Sequence, residues 1–303
     1  MWTYHPDLLA TAVPRYTSFP TAAEFGDDVG PADMEHALAR VHEDEPVSLY
    51  LHIPYCHEIC WYCGCNTGAA NRAARVATYV QRLGEEVDLV AARLAGRGRV
   101  TRIAWGGGSP NALVPAQFDA LMHRIRDAFA CTHATVSVEL DPRGFDWGWA
   151  ECLARNLVTR ASLGVQTFAP HIQHAIGRVQ PVEAIACAMG RLRAARIESI
   201  NFDLMYGLPG QFAADLEETL DIALSMRPER FAVFGYAHVP HLLPRQRRID
   251  ATRLPGPAAR FALARQAHRH LRDAGYDPIG FDHFAVPQDA IARAARSGTL
   301  RRN

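Results

Sequence analysis

The sequence predicts an α/β protein whose parallel sheet curves into a partial barrel around a polar lumen. Three observations predict it. Short β-rich runs alternate with longer helical ones along most of the 303 residues, the order that gives parallel strands with helices outside. In four of six candidate strands, polar and apolar residues alternate with period two. The segments that look chemical follow the carboxyl ends of strands, where such sheets place ligands.

Residues 1–35 lack periodicity and read as an arm preceding a domain over 36–303. The first strand is VSLYLHI (47–53), with Ser48, Tyr50 and His52 on one face and Val47, Leu49, Leu51 and Ile53 on the other. A helix over 72–95 follows, because Val76, Val80, Leu83, Val87, Val90 and Leu94 recur at steps of three and four. The second strand, VTRIAW (100–105), alternates less cleanly and runs into GGGSP (106–110). After a helix near 115–130 comes TVSVEL (135–140), where Ser137 and Glu139 oppose Val136, Val138 and Leu140. A helix near 146–156 leads to RASLGVQ (160–166), where Arg160, Ser162, Gly164 and Gln166 oppose Ala161, Leu163 and Val165. A helix near 182–195 leads to SINFDLM (199–205), with Ser199, Asn201 and Asp203 opposing Ile200, Phe202 and Leu204. Helices near 213–226 and 256–274 flank a sixth, less regular strand, RFAVFGYA (230–237).

A parallel sheet covered on both faces is apolar on both. Here one face is polar, and burying it empty would cost roughly 2–7 kcal/mol per unpaired group. The polar face therefore meets water or a polar ligand. The alternative is an open α/β sheet whose polar residues merely lie near strand ends.

Composition narrows the function. The net charge is zero, about half the residues are apolar, and no long run of like charge occurs. Neither a nucleic-acid surface nor a membrane surface is expected. The opening MWTYHPDLLATAVPRYTSFP holds no apolar run long enough for a signal peptide or a spanning helix. Seven cysteines are an odd number, and four of them, Cys56, Cys60, Cys63 and Cys65, fall within ten residues. That argues for a reducing cytoplasm and a metal or cofactor site rather than a disulfide framework. Cys131, Cys152 and Cys187 read as scattered buried thiols.

Zinc is one occupant for YLHIPYCHEICWYCGCNT (50–67), through Cys56, Cys60, Cys63 and His57 or His52. Structural zinc usually pairs two separated knuckles, and no second knuckle follows. An iron–sulfur cluster is the other, since its usual ligands are clustered thiolates. Three cysteines would leave one iron open, the catalytic arrangement; Cys65 would either close the cube or be spare. The H-x2-H pairs His171/His174 and His238/His241 read as surface or loop histidines.

The stretch YLHIPYCHEICWYCGCNT resembles the radical S-adenosylmethionine (radical SAM) superfamily, marked by C-x3-C-x2-C. More narrowly it resembles the oxygen-independent coproporphyrinogen III oxidase family. Further blocks match in order: PRYTSFPTA (14–22), WGGGSPN (105–111), VELDPR (138–143), LGVQTF (163–168), NFDLMYGLP (201–209), FGYAHVP (234–240) and FDHFAVP (281–287). The resemblance implies a partial TIM-like (β/α)6 radical SAM barrel with an N-terminal arm. It implies a [4Fe–4S] cluster on Cys56, Cys60 and Cys63 and two molecules of S-adenosylmethionine. One would be met by Tyr50, Gly107 and Glu139, the other by Tyr62, Gly108, Ser109, Gln166, Arg178, Asp203 and Ala237. Singly, each of these has an ordinary structural role open to it; their shared rim favours a site. The implied reaction splits S-adenosylmethionine by one electron to a 5′-deoxyadenosyl radical. That radical removes a propionate hydrogen from coproporphyrinogen III, which loses CO2 to leave a vinyl group, twice, giving protoporphyrinogen IX.

Four substrate carboxylates call for cations, and Arg15 and Arg160 are candidates. A monomer in the cytoplasm, served by an unidentified one-electron donor protein, is expected. The family also continues past RSGTLRRN into the rest of the barrel domain and a mostly helical C-terminal domain. Without them, slow S-adenosylmethionine cleavage with little decarboxylation is expected. Two rivals stand beside the oxidase: a haem-binding chaperone of a sister family, which lacks the C-x-C end, and an inactive remnant.

Overall fold

The computed structural model describes residues 2–10 and 24–301. Ten strands occur among them: β1 (Pro46–Ile53), β2 (Tyr55–Cys56), β3 (Gly68–Ala69), β4 (Arg99–Gly107), β5 (Thr135–Leu140), β6 (Val158–Gln166), β7 (Ser199–Tyr206), β8 (Arg230–Gly235), β9 (Asp277–Ile279) and β10 (His283–Ala285). The helices are α1 (Pro6–Ala10), α2 (Pro31–Ala39), α3 (Ala73–Leu94), α4 (Pro115–Phe129), α5 (Trp147–Arg155), α6 (Pro170–Ala175), α7 (Val182–Ala194), α8 (Ala213–Ser225), α9 (Pro257–Asp273) and α10 (Ala290–Arg296). All six expected strands and all six expected helices are present.

The main sheet runs β1-β4-β5-β6-β7-β8-β10-β9. From β1 to β8 every pairing is parallel. Strands thus follow one another in chain order, with no reversal of winding. Right-handed crossovers then put the helices that connect these strands on one face and leave the other for a lumen. A doubly wound open sheet would reverse at a switch point, so the partial (β/α)6 barrel holds.

The alternation read from the sequence is the barrel's inside and outside. Leu51 and Ile53, Val136, Val138 and Leu140, Leu163 and Val165, and Ile200, Phe202 and Leu204 are buried in one core with the helices. The α3 stripe of Val76, Leu83 and Val87 packs there too, and Leu94 is buried at the end of the same helix. That helix ends where Ala95 turns left-handed at φ 50° and Gly96 continues at 79°, a common helix stop. Of the three scattered cysteines, Cys131 and Cys152 are buried, but Cys187 is exposed on α7. Its position faces away from the Ile185, Ala188, Met189 and Leu192 stripe.

Several elements were not expected. Helix α2 crosses the boundary placed at residue 35, and Glu35 accepts from Arg93 of α3 at 2.6 Å. Its own buried stripe is lacking, so no periodicity marks it. At the far edge β10 pairs antiparallel with both β8 and β9. Helix α10 follows, and its N-cap Asp289 bonds Arg230 of β8 at 2.6 Å and Ser199 of β7 at 2.8 Å. The α10 N-terminus therefore closes the amino-terminal end of the lumen. No described helix is long and apolar enough to cross a membrane.

Candidate active site

The chain leaves β1 into the cysteine loop. Strands β2 and β3 pair in parallel, Tyr55 with Gly68 and Cys56 with Ala69, so the loop between them is pinched at its base. Its tip is held by backbone and arginine contacts. Trp61 N–H donates to Ile176 O at 3.1 Å, and Gln246 Nε2 donates to Tyr62 O at 2.9 Å. Arg245 donates to Thr67 Oγ1 at 2.9 Å, and Arg248 lies 4.4 Å from the Trp61 ring centre.

The glycine run after β4 fixes the loop's other side. Gly108 N–H donates to Ile53 O and Ser109 N–H to Tyr55 O, both at 2.8 Å. A Cβ on Gly108 would collide with the Tyr55 backbone, and one on Gly106 would stand 2.8 Å from the Glu139 carboxylate. The absent side chains let backbone and carboxylate meet.

All four clustered cysteines line a single cavity of about 360 Å³ at the carboxyl ends of the strands. Cys65 is exposed, and its N–H lies 3.4 Å from Cys63 Sγ. Hydrogen bonding from Cys65 brings the Cys63 thiol down to about 6 and pushes Cys65 the opposite way. Burial, then the neighbouring Cys63, pushes Cys56 up to about 11. Cys60 is met by two guanidiniums, Arg178 Nη1 at 3.2 Å and Arg143 Nη2 at 3.6 Å.

Behind Cys60 lies a compact ion cluster. Asp141 pairs with Arg143 at 2.5 Å and Arg178 at 3.3 Å. Burial alone would raise its carboxyl, but Arg178 and Arg143 hold it below the usual range. Arg178 also donates to Gly164 O at 2.6 Å and to Gln180 Oε1 at 3.1 Å. This one guanidinium joins the cysteine loop to β6. At the end of β6, Gln166 has a left-handed φ of 67° and two of its residues oppose one on β7. Strain of about 1–3 kcal/mol is typical of such a residue and recurs at functional sites.

The lumen continues below into a second chamber of about 480 Å³, which shares Glu139, Ser162, Asp203 and Phe234 with the first. Burial raises the Glu139 carboxyl. Burial also raises Asp203, to about 6, against hydrogen bonds from Ser162 and Asn201 at 2.8 Å. The sign of its effect on stability follows. A folded value above the unfolded one gives stability that is complete below the ordinary carboxyl range and is lost as pH rises through about 6. Asp203→Asn is therefore expected to raise stability at pH 8 by about 1–3 kcal/mol while weakening cofactor binding. Denaturant melts at pH 5 and pH 8 check it: the gain should shrink at pH 5, and an equal gain at both would refute the titration.

The residues singled out by sequence divide as follows. Tyr62, Gly107, Gly108, Glu139, Gln166, Arg178, Asp203 and Ala237 all line the upper cavity with the cysteines. Tyr50 and Arg160 line the lower chamber. Ser109 does not line either; it is buried, with its hydroxyl bonded to Asn111 and to Asp141 N–H. Arg15 lies outside the described residues. Sequence reading missed Arg143, Asp141, Arg245 and Gln246. The first two sit in the matched block VELDPR (138–143), so that block was the available signal. The last two lie on a turn from 244 to 248 with no periodic pattern.

The two histidines considered as zinc ligands are engaged elsewhere. His52 is engaged at both ring nitrogens, by Tyr50 Oη at 3.2 Å and Asn66 O at 3.1 Å, and His57 Nε2 lies 3.3 Å from Asn111 O. No three histidine, cysteine or acidic side chains converge at single-ion range among the described residues. Four thiols on one cavity wall are the donor type that an iron–sulfur cluster takes. Of the paired histidines, His171 meets Asp215 at 3.5 Å and His238 meets Tyr236 Oη at 2.9 Å.

Comparison with known proteins agrees with this geometry. The radical SAM superfamily profile matches residues 50–223. An oxygen-independent coproporphyrinogen III oxidase of Bradyrhizobium diazoefficiens is 43% identical, covering 96% of this chain and 65% of that protein. The Escherichia coli enzyme of that name is 38% identical, covering 96% and 63%. The solved structure of coproporphyrinogen III oxidase from Escherichia coli, described as a radical SAM enzyme, superposes with a TM-score of 0.92 at 36% identity. That superposition covers 99% of this chain and 68% of the other. The chain thus spans about two thirds of the length of the relatives it matches.

Proposed function

This chain belongs to the radical SAM superfamily and, within it, to the oxygen-independent coproporphyrinogen III oxidase family, and from that membership we propose that it acts in the oxidative decarboxylation of coproporphyrinogen III to protoporphyrinogen IX. Membership implies a [4Fe–4S] cluster and S-adenosylmethionine as cofactors. The observation that carries the reading is the set of cysteines spaced C-x3-C-x2-C on the wall of a cavity that opens into a polar lumen.

Cys56, Cys60 and Cys63 would hold the cluster, and Cys65 would tune Cys63 from outside the ligand set. When bound, the cluster and S-adenosylmethionine supply a hydrogen-abstracting radical; the protein binds, orients and keeps water away. Arg178 and Arg143, in contact with Cys60 Sγ, would offset the negative charge of a cluster held there. Glu139, Asp203 and the backbone at Gly107 and Gly108 offer acceptors and close approach for the amino and ribose groups of S-adenosylmethionine. Two chambers joined through Glu139 and Asp203 support room for two such molecules. Tyr50, Gly107 and Glu139 would serve one; Tyr62, Gly108, Ser109, Gln166, Arg178, Asp203 and Ala237 would serve the other. Ser109 would support that site by fixing Gly108 in place, since its hydroxyl and its N–H are both engaged. In this reading the barrel domain covers 36–303, and α2 spans its boundary with the preceding arm. Arg15 and Arg160 are its substrate arginines. A protein supplies the single electrons, and the enzyme works as a cytoplasmic monomer.

The test is anaerobic. Reconstituted protein reduced with dithionite should form 5′-deoxyadenosine from S-adenosylmethionine. With coproporphyrinogen III deuterated at the propionate β-carbon, deuterium should enter that product, even at slow turnover. No 5′-deoxyadenosine would remove the radical chemistry; 5′-deoxyadenosine free of deuterium would remove the substrate.

A further inference from the structure

One buried side chain ties together two residues assigned above to the same cofactor molecule. Gln246 sits in the turn from 244 to 248 and is 1% exposed. Its Nε2 donates to Tyr62 O on the cysteine loop at 2.9 Å and to Ala237 O beyond β8 at 3.1 Å. Its Oε1 accepts from Val239 N–H at 2.6 Å. These partners fix which way the amide points. Turned over, its oxygen would face two carbonyl oxygens and its nitrogen would face an N–H. Glutamate has the same length but, ionised, has no donor for either carbonyl; asparagine has the donors but is one carbon shorter.

The two ends of this tie are held unequally. The cysteine loop has other anchors: Trp61 N–H on Ile176 O, Arg248 over the Trp61 ring, and Arg245 on Thr67. The segment after β8 depends more on Gln246. Ala237 O and Val239 N–H take no other hydrogen bond among the described residues, and Ala237 is exposed. Tyr62 and Ala237 both line the upper cavity. Gln246 therefore fixes where Ala237 stands relative to the cysteine loop, while the loop keeps its own supports. Tyr50, Gly107 and Glu139, assigned to the other cofactor molecule, make no hydrogen bond with Gln246.

We propose that Gln246 is a positioning residue for the second S-adenosylmethionine: through Tyr62 O and Ala237 O it sets the spacing between two walls of that molecule's place, and it acts on neither the first molecule nor the cluster. This rests on the assignment of Tyr62 and Ala237 to a second molecule and deepens it. The cofactor needs its flanking groups at fixed separation, and a tie outside the contact surface supplies that separation.

The test counts bound cofactor rather than turnover. S-adenosylmethionine labelled in its methyl group is dialysed to equilibrium against reconstituted, unreduced protein, so that none is cleaved. The native chain should hold two equivalents. In Gln246→Glu the second equivalent should bind about tenfold more weakly. The first should stay within about twofold, and iron content should stay near native. Gln246→Met removes the same three bonds without setting a carboxylate against two carbonyls, and it carries the test if Gln246→Glu loses its melting transition. If the native chain and both variants bind two equivalents equally well, the positioning role is overturned while the two-molecule reading stands. If both equivalents weaken together, or iron is lost, Gln246 supports the loop as a whole and the proposal is overturned. If the native chain binds a single equivalent, the two-molecule reading fails and the proposal falls with it.

Discussion

Anaerobic reconstitution of Cys56→Ala, Cys60→Ala and Cys63→Ala should each yield protein without its iron–sulfur absorbance, whereas Cys65→Ala should keep iron and sulfide near native content. The expectation rests on how differently the four thiols are held. Cys60 is buried under two guanidiniums, and Cys56 is fixed by the β2–β3 pinch. Cys63 is brought down to about 6 by its neighbour. Cys65 is exposed and is the partner that does the lowering. Its removal should therefore shift the absorption of the cluster or slow its assembly rather than abolish it. Iron and sulfide counts with anaerobic spectra check this. Normal iron in Cys60→Ala, or complete loss in Cys65→Ala alone, would contradict the assignment.

Arg178→Met should be the most damaging single change away from the thiols. The side chain is almost fully buried, with 8% exposure against 14% for Asp141. It ties Cys60, Asp141, Gly164 O and Gln180 together. Removing one partner of a buried ion pair costs about 3–5 kcal/mol, because the other charge stays buried. Here Arg143 still holds Asp141, so the lower end, about 3 kcal/mol, is expected. The double variant Arg178→Met/Asp141→Asn should recover part of the loss by removing the stranded carboxylate. Denaturant melts of the single and double variants read it out. A cost below about 1 kcal/mol for Arg178→Met would mean that the cluster is solvated in the folded protein.

Much of this site was legible because the information is local or periodic. Period-two alternation carries the division between core and lumen, so it alone puts Glu139, Ser162, Asn201 and Asp203 on the lumen face. The cysteine spacing is a short motif, readable without a fold. Asp141, Arg143, Arg178 and Gln180 form a cluster only after β5 and β6 pair in register. Arg178 entered through the family resemblance alone; no spacing in the chain brings it to Cys60, 118 positions away. Gln246 reaches Tyr62 from a turn that carries no hydrophobic signal. The α2 helix escaped for a related reason: it buries no stripe, so propensity had nothing to reinforce it. Ser109 shows the converse, a motif residue whose side chain serves the scaffold.

The left-handed Gln166 at the end of β6 carries a consequence for anyone who would engineer this protein. A residue with a Cβ held at positive φ folds against its own preference, and glycine there would relax the backbone. Replacement would look attractive in a search for thermal stability. Yet the same kink turns the Gln166 side chain into the cysteine cavity, and glycine would also loosen the unfolded chain. Thermostability and ligand placement are therefore opposed at one torsion angle, and a library selected for heat resistance alone would tend to erode the site from this position first.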